Sequence, residues 1–207
     1  MKLKLKKMIP NRLLILMALI CLSFTSSSDQ QDIGDVRLSE EELKLYNLIM
    51  EYREEKGLSQ IPLSASLTYV AQQHCRDLAT NKPDRKNKCN PHSWSNKGKW
   101  KGCCYTEDHE NAECMWEKPR EMTDYTTEGY EISAGSSDPK FDDYVMTAAY
   151  AIEGWKKSKH HNNVMINKGI WKDSEWNAIG IGIHKGFAAV WFGTSVDQAG
   201  KPKMPEK

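Results

Sequence analysis

The sequence predicts an α+β domain in which helices cover a mainly antiparallel sheet. Apolar residues recur at helical spacing in three stretches, 39–57, 65–79 and 141–155. The segment 177–193 instead alternates Ile with Gly and continues, after a Lys-Gly turn, into an aromatic run, which is typical of a β-hairpin. Two helices first, one central helix and antiparallel strands last favour helices packed on the sheet.

The first 28 residues have the layout of a secretory signal peptide. All five charges in this segment are basic, and they precede the apolar run 13–24, which is followed by three consecutive serines. The apolar run is too short to span a bilayer comfortably. We therefore expect a secreted protein, extracellular or periplasmic, with no membrane insertion after the leader at 1–28 is removed.

The charge of the remaining chain limits the possible partners. Residues 29–207 keep 24 of the 29 Lys and Arg residues and all 28 Asp and Glu residues, a net charge of −4. This gives no electrostatic case for binding nucleic acid or an anionic membrane. About 180 residues fit one domain with a sizeable core. We expect that domain at 39–196, between a flexible lead-in at 29–38 and a polar tail at 197–207 that frays.

Two helices carry the clearest signals. A capping box at 39–42, Ser-Glu-Glu-Glu, predicts where the first helix begins. In the central stretch 141–166, apolar residues at steps of four and three, starting with Phe141 and Val145, indicate one face of a helix about four turns long. This helix is predicted to run into the polar patch 158–163, which contains two adjacent histidines.

The segment 81–125 has no sustained period and is predicted to form a compact insert over the core. It contains four cysteines and three tryptophans, and with Cys75 the mature chain has five cysteines. In an oxidising compartment we expect disulfides, and the odd number leaves one thiol free or externally paired. A bond between Cys103 and Cys104 would be strained, so each is expected to pair at a distance, with the connectivity left open. Zinc is the alternative, although no C-x-x-C pair is present.

Residues that can form a site lie in and around this insert. In the sequence Asn-Pro-His-Ser-Trp at 90–94, a proline stiffens the approach to His92, and Trp94 can wall a pocket. Glu128 and Glu131 flank a Gly-Tyr pair shortly afterwards. His74, beside the apolar stripe of the second helix, is expected to be structural.

These motifs occur in an order that resembles a known family. The chain carries Leu-Ile-Met-Glu-Tyr-Arg at 48–53, then His92-Ser93, a Glu near a Gly and an Ile, Trp-x-x-Ser-x-x-His at 155–161, an Ile-Gly-Ile-Gly strand, and an aromatic strand ending in Phe192-Gly193. Over roughly residues 43–195 this order resembles the CAP superfamily: cysteine-rich secretory proteins, antigen 5 and pathogenesis-related proteins, also called SCP-like extracellular proteins. The eukaryotic Gly-His-Tyr-Thr-Gln segment is absent, so the chain resembles the bacterial-type branch.

The resemblance implies a three-layer α-β-α sandwich with a shallow cleft in which two histidines and acidic residues converge. Carried over by position, the two histidines are His92 and His161. The family has Gly-Glu-Asn-Ile where this chain has Gly-Tyr-Glu-Ile at 129–132, so the glutamate is displaced by one position. In an extended strand such a shift points a side chain to the opposite face. Glu131 nevertheless remains the first candidate for the carboxylate, and Glu128 is the second.

The expected function is a binding module rather than an enzyme. The resemblance implies a cleft for a small apolar ligand or an extracellular protein, lined by His92, Glu131, His161, Glu128 and Trp94. Two imidazoles and a carboxylate can also bind zinc or a similar divalent metal, here through His92 and His161.

The alternative is a secreted, peptidase-like hydrolase. In that case Ser93 or Ser158 would be the nucleophile, His92 the base and Glu131 the group that orients the base. Neither G-x-S-x-G nor H-E-x-x-H occurs in the sequence, so the common hydrolase templates give this alternative no support.

Overall fold

The computed structural model of the protein describes residues 33–86 and 88–206. The predicted signal peptide and the first four residues of the predicted lead-in lie outside the described residues. The helices are α1 (Glu40–Glu55), α2 (Ala65–Asn81), α3 (Ala112–Trp116), α4 (Lys118–Met122), α5 (Ala148–Lys157) and α6 (Lys159–Met165). The strands are β1 (Gly129–Ala134), β2 (Ala178–His184) and β3 (Phe187–Gly193).

The three strands form an antiparallel sheet in the order β1-β3-β2, and β2 and β3 form the predicted hairpin. Side chains of α1 and α5 pack with Val190 and Phe192 of β3. Helix α2 packs with Trp191, which points to the opposite face because side chains alternate along a strand. Helices therefore cover both faces, and the prediction of a three-layer α+β sandwich is confirmed.

Glycines on β2 let α2 lie very close to the sheet. A Cβ on Gly180 would come within 2.0 Å of the carbonyl carbon of Leu67, and one on Gly182 within 2.4 Å of that of Ala71. No side chain larger than hydrogen fits between the strand and the helix backbone at these two positions. Because Ile and Gly alternate, the isoleucine side chains of β2 pack into the core on one face of the sheet, and the backbone of α2 lies against the glycines on the other face.

The capping box of α1 also joins three elements. The Ser39 side chain accepts from the backbone of Glu42, and the Glu42 carboxylate accepts from the Ser39 backbone. The same buried carboxylate accepts from Nε2 of Gln72 on α2 at 3.0 Å and from the backbone N–H of Ile183 on β2 at 3.0 Å. Burial raises the pKa of this carboxyl. A helix cap therefore also ties the first helix to the second and to the sheet.

The central stretch forms a shorter helix than the sequence predicts. Helix α5 begins at Ala148, after Thr147, whose side chain accepts from the backbone of Tyr150. Phe141 and Val145 precede it and are 42% and 69% exposed, so they do not belong to its buried face. The extended backbone of Ser158 then separates α5 from α6. A cap inside the apolar period overrides the continuous helix that the spacing indicates.

The described parts of the lead-in and the tail pack on the domain. Val36 and Leu38 are buried, and Arg37 pairs with Lys203 in a parallel β-bridge. Asp197 accepts hydrogen bonds at the start of α2 from the Ser64 hydroxyl and from the Ser66 backbone and hydroxyl. Over 33–38 and 197–206 the structure therefore differs from the predicted flexible lead-in and fraying tail, because backbone pairing and a helix cap hold both segments.

The predicted insert contains α3 and α4 and is cross-linked by two disulfides, Cys89–Cys104 and Cys103–Cys114. Cys75 is free and buried on α2. The predictions that the adjacent cysteines pair with distant partners, and that one thiol is left over, are confirmed.

Candidate functional site

A buried carboxylate joins two histidines from different parts of the fold. The Oε2 atom of Glu131, on β1, lies 2.5 Å from Nδ1 of His74 on α2, and its Oε1 atom lies 2.8 Å from Nδ1 of His92. The side chains of His74 and Glu131 are fully buried, whereas that of His92 is partly exposed. These three residues form a chain that leads from the core to the surface, which we call the His-Glu-His chain.

The electrostatics of this chain favour an ionised carboxylate. Burial opposes the charge of Glu131, but the attraction of His74 and hydrogen bonds from His74 and His92 outweigh it, so the pKa of the carboxyl falls to about 2. Because a buried charge needs both a partner and hydrogen bonds, the histidines are what allow Glu131 to lie here.

The loop that carries His92 is fastened on both sides. The side chain of Asn90 accepts from the His92 backbone N–H at 3.0 Å, which forms a tight turn. The Ser93 hydroxyl accepts from the Tyr105 backbone N–H at 2.9 Å, and Trp94 pairs with Cys103 in an antiparallel bridge. The segment that pairs with the His92 loop is therefore the stretch 103–105 of the same insert, which is held by the disulfides.

His161 faces the outer end of the His-Glu-His chain. Its ring, on the short helix α6, has its centroid 6.3 Å from that of His92, with the two rings inclined by 59°. Burial, together with repulsion from His92, lowers the pKa of His161 to about 4, so its imidazole is neutral at physiological pH. The indole N–H of Trp155, near the end of α5, donates to the Ser133 carbonyl of β1 at 3.0 Å and fixes α5 beside this strand.

Trp94 does not wall an open pocket. Its side chain is buried, and its ring stacks on that of His74 with centroids 4.2 Å apart and planes 7° from parallel. On another side, Nζ of Lys118 lies 5.7 Å from the ring centroid. The prediction that Trp94 lines the cleft is therefore wrong, because the insert folds over the ring.

The side chains of the remaining predicted site residues have other surroundings. Glu128 is partly exposed and contacts Arg120 and the Tyr130 hydroxyl. The Ser93 hydroxyl is buried within the insert. Ser158 lies at the junction of α5 and α6 and caps neither helix with its side chain. Of the predicted residues, the structure thus brings His92, Glu131 and His161 together.

His74 belongs to the site, although the sequence pattern does not indicate this. It lies on the buried side of α2, next to Cys75, and was expected to be structural. The available signal was its position: a histidine among apolar residues needs a polar partner, and a carboxylate on a strand is such a partner. The spacing along the chain does not identify which carboxylate it is.

The donor set fits a metal ion only in part. Over the described residues, no group of three or more His, Cys, Asp and Glu side chains is arranged to hold a metal ion. His92 and His161 are two imidazoles that can supply ligands. Both oxygens of Glu131 contact histidines, so this carboxylate stands behind His92, in the place that often orients a metal-binding imidazole.

Comparisons with known proteins give structural similarities only. No family model and no curated protein matches the chain. Between residues 33 and 206, no helix has the length and apolar character needed to cross a bilayer. Among solved structures, the chain is similar to an extracellular protein containing an SCP domain from Bacillus anthracis, at 14% identity and a TM-score of 0.49 over 75% of this chain and 40% of that one.

It is also similar to a cysteine-rich secretory protein from Staphylococcus aureus, at 14% identity and a TM-score of 0.45 over 81% of this chain. The chain spans about 40% of the length of each of these two proteins.

Proposed function

We propose that the chain is a secreted, CAP-type binding module whose site is centred on His92 and His161. The two imidazoles bind a divalent cation such as zinc, and the cleft around them binds a small apolar ligand or an extracellular protein. One observation carries the proposal: two rings from separate elements face each other at 6.3 Å, while a buried carboxylate holds one of them from behind.

The state of the two rings supports cation binding. Only a neutral imidazole binds a metal ion, and the lowered pKa of His161 keeps its ring neutral. Glu131 engages Nδ1 of His92, which leaves Nε2 for a ligand. When bound, zinc would offer open coordination positions to a polar group of a further ligand.

Partly exposed aromatic rings on the face of β1 opposite Glu131 support an apolar ligand or a protein partner. Tyr130, the residue before Glu131, has its ring centroid 5.9 Å from that of Trp116 and 4.8 Å from that of Trp171. All three rings are half-buried, so part of each remains available for contact, and neighbouring Ile170 is 87% exposed. Aromatic side chains of this kind offer a large contact area at a low cost in conformational entropy.

Hydrolysis has less support from the geometry. A serine nucleophile needs a base within hydrogen-bond reach. The Ser93 hydroxyl is instead buried and bonded to the Tyr105 backbone, and among the described residues it makes no hydrogen bond to a histidine ring. We therefore favour binding over the hydrolase alternative.

Zinc titration of the purified, metal-free protein tests the proposal. Zinc should bind and raise the melting temperature of the wild type, because a ligand of the folded state stabilises it. The variants His92→Ala and His161→Ala should each lose affinity by more than the roughly 10- to 100-fold that loss of an outer partner costs. Calorimetry and thermal melting provide the two readouts.

His160→Ala is the matched control, since His160 is the exposed neighbour of His161 on the same helix. It should bind zinc like the wild type. If the wild type does not bind zinc, or if His92→Ala and His161→Ala bind it unchanged, the two histidines are not a cation site, and the proposal fails.

A further inference from the structure

We propose that His74 is a positioning residue for this site: through Glu131 it fixes the tautomer of His92, so that the Nε2 lone pair of His92 points outward. The inference rests on the proposed function for its purpose, but its geometry is independent of any metal. Three contacts carry it, two at His74 and one at His92.

Both ring nitrogens of His74 face acceptors. Its Nε2 atom lies 3.1 Å from the Ser93 carbonyl oxygen, which can only accept, so Nε2 carries a hydrogen. Its Nδ1 atom lies 2.5 Å from Oε2 of Glu131, so a hydrogen lies in this contact as well. Assigned from these partners, His74 is an imidazolium paired with a carboxylate.

The stacking of Trp94 favours the charged form of His74. The indole and imidazole planes are nearly parallel, with centroids 4.2 Å apart, so the cation lies over the negative face of the aromatic ring. His74, Glu131 and Trp94 are all buried, and a desolvated contact of this kind is stronger than an exposed one.

The second oxygen of Glu131 then determines the state of His92. Pairing with the His74 cation keeps Glu131 ionised, and an ionised carboxylate can only accept, so Oε1, which lies 2.8 Å from Nδ1 of His92, accepts from that nitrogen. The hydrogen of a neutral His92 must therefore sit on Nδ1, and Nε2 keeps its lone pair. A carboxylate behind a metal-binding imidazole has this same orienting effect in metalloproteins.

The direct test is a long-range ¹H–¹⁵N correlation spectrum of the histidine rings in the metal-free wild type at neutral pH. We expect two protonated nitrogens for His74, and a protonated Nδ1 with an unprotonated Nε2 for His92. An unprotonated nitrogen on His74, or a hydrogen on Nε2 of His92, would overturn the inference. This measurement needs no variant, so it is decisive even if substitutions at position 74 prevent folding.

Variants add a second readout. In His74→Leu, which removes both donors, His92 should show a mixture of tautomers, and zinc affinity should fall roughly 10- to 100-fold. His74→Asn retains a neutral N–H donor towards Glu131 and should recover part of both effects. His160→Leu, on the exposed side of α6, should change neither. An unchanged His92 spectrum in a folded His74→Leu variant would contradict the inference.

The two proposals can fail separately. If the wild type gives the expected ring states but does not bind zinc, the cation site fails and the positioning role of His74 stands. If zinc binds to His92 and His161 while the ring states differ from those expected, the positioning role alone fails.

Discussion

Glu131 is the residue on which the largest number of site contacts depend. It is buried, its two oxygens engage two histidines, and it ties β1 to α2 and to the loop of the insert. Removing one member of a buried ion pair leaves the other without a partner, which costs more than the pair itself contributes. Its role is therefore structural as well as functional.

Glu131→Gln should lower the free energy of unfolding by about 2 kcal/mol, because the amide has a single acceptor oxygen and cannot accept from both histidines, so a buried polar group loses its partner. Chemical denaturation of the metal-free protein measures this. Glu128→Gln is the control: that carboxylate is partly exposed, and its loss should change the free energy by less than about 0.5 kcal/mol. Equal losses in the two variants would refute a special role for Glu131.

For individual residues, the sequence indicates which side chains form the site better than it indicates how they are arranged. His92 and His161 follow from the order of the motifs, and Glu131 was the first choice for the carboxylate. The one-residue displacement predicts that the Glu131 side chain points to one face of β1 rather than the other. It does not predict that α2, which carries His74, covers that face. Strand alternation tells which residues share a face, but it does not tell which face a helix will cover.

Among the secondary-structure elements, β2 and α2 lie so close together that no side chain fits between them at two positions. Gly180 and Gly182 meet backbone atoms of α2 rather than flexible side chains. Backbone atoms of a packed helix cannot shift without disturbing the helix itself, so substitution here strains the whole layer.

Gly180→Ala should destabilise the fold by about 2 kcal/mol or more, since its Cβ would lie 2.0 Å from the carbonyl carbon of Leu67. The matched control is Gly154→Ala in α5, where a Cβ meets nothing within 4 Å. That change should stabilise by about 0.5–1 kcal/mol, because alanine is the better helix former. Denaturation of both variants by urea tests the pair, and a stable Gly180→Ala variant would contradict the close approach.

The elements predicted well are those with caps or strict periods. The capping box placed the start of α1, and the Ile-Gly alternation placed the hairpin. The central helix was predicted too long because the apolar spacing continues through the turn at 139–147. The cap at Thr147 starts the helix later than that spacing indicates, and periodicity alone does not predict where a cap will form.

For the molecule as a whole, the disulfides connect stability to the site. The Cys89–Cys104 bond closes a loop with a sequence separation of 15 residues, and this loop contains His92. Tyr105, next to Cys104, contributes the backbone N–H that holds Ser93. The cross-links therefore restrict the loop on which one of the two facing histidines lies.

The double variant Cys89→Ser/Cys104→Ser should lose about 3 kcal/mol of unfolding free energy, as expected for a loop of this length. Adding a reducing agent should then destabilise the wild type more than the variant, because the variant has one bridge left to lose. Thermal melting with and without reductant measures the difference. Equal losses would show that this bridge does not stabilise the domain.

The whole-molecule prediction succeeded in the α+β class, which follows from the order of the elements, and in the left-over thiol, which follows from the odd number of cysteines. It missed the packing of the segments 33–38 and 197–206, since Val36 and Leu38 stand in a polar segment whose bridge partner, near Lys203, lies more than 160 residues away along the chain. Contacts between such distant segments have no local signal.

The parallel bridge between Arg37 and Lys203 has a further consequence. The Leu38 N–H donates to the Lys203 carbonyl at 3.0 Å, and the Lys203 N–H donates to the Val36 carbonyl at 2.8 Å, so the polypeptide enters and leaves the domain side by side. A unit with adjacent entry and exit points can be spliced into a surface loop of another protein without stretching its host. The same adjacency would let a short peptide join the two ends and new termini be opened elsewhere, so this fold is suited to modular recombination.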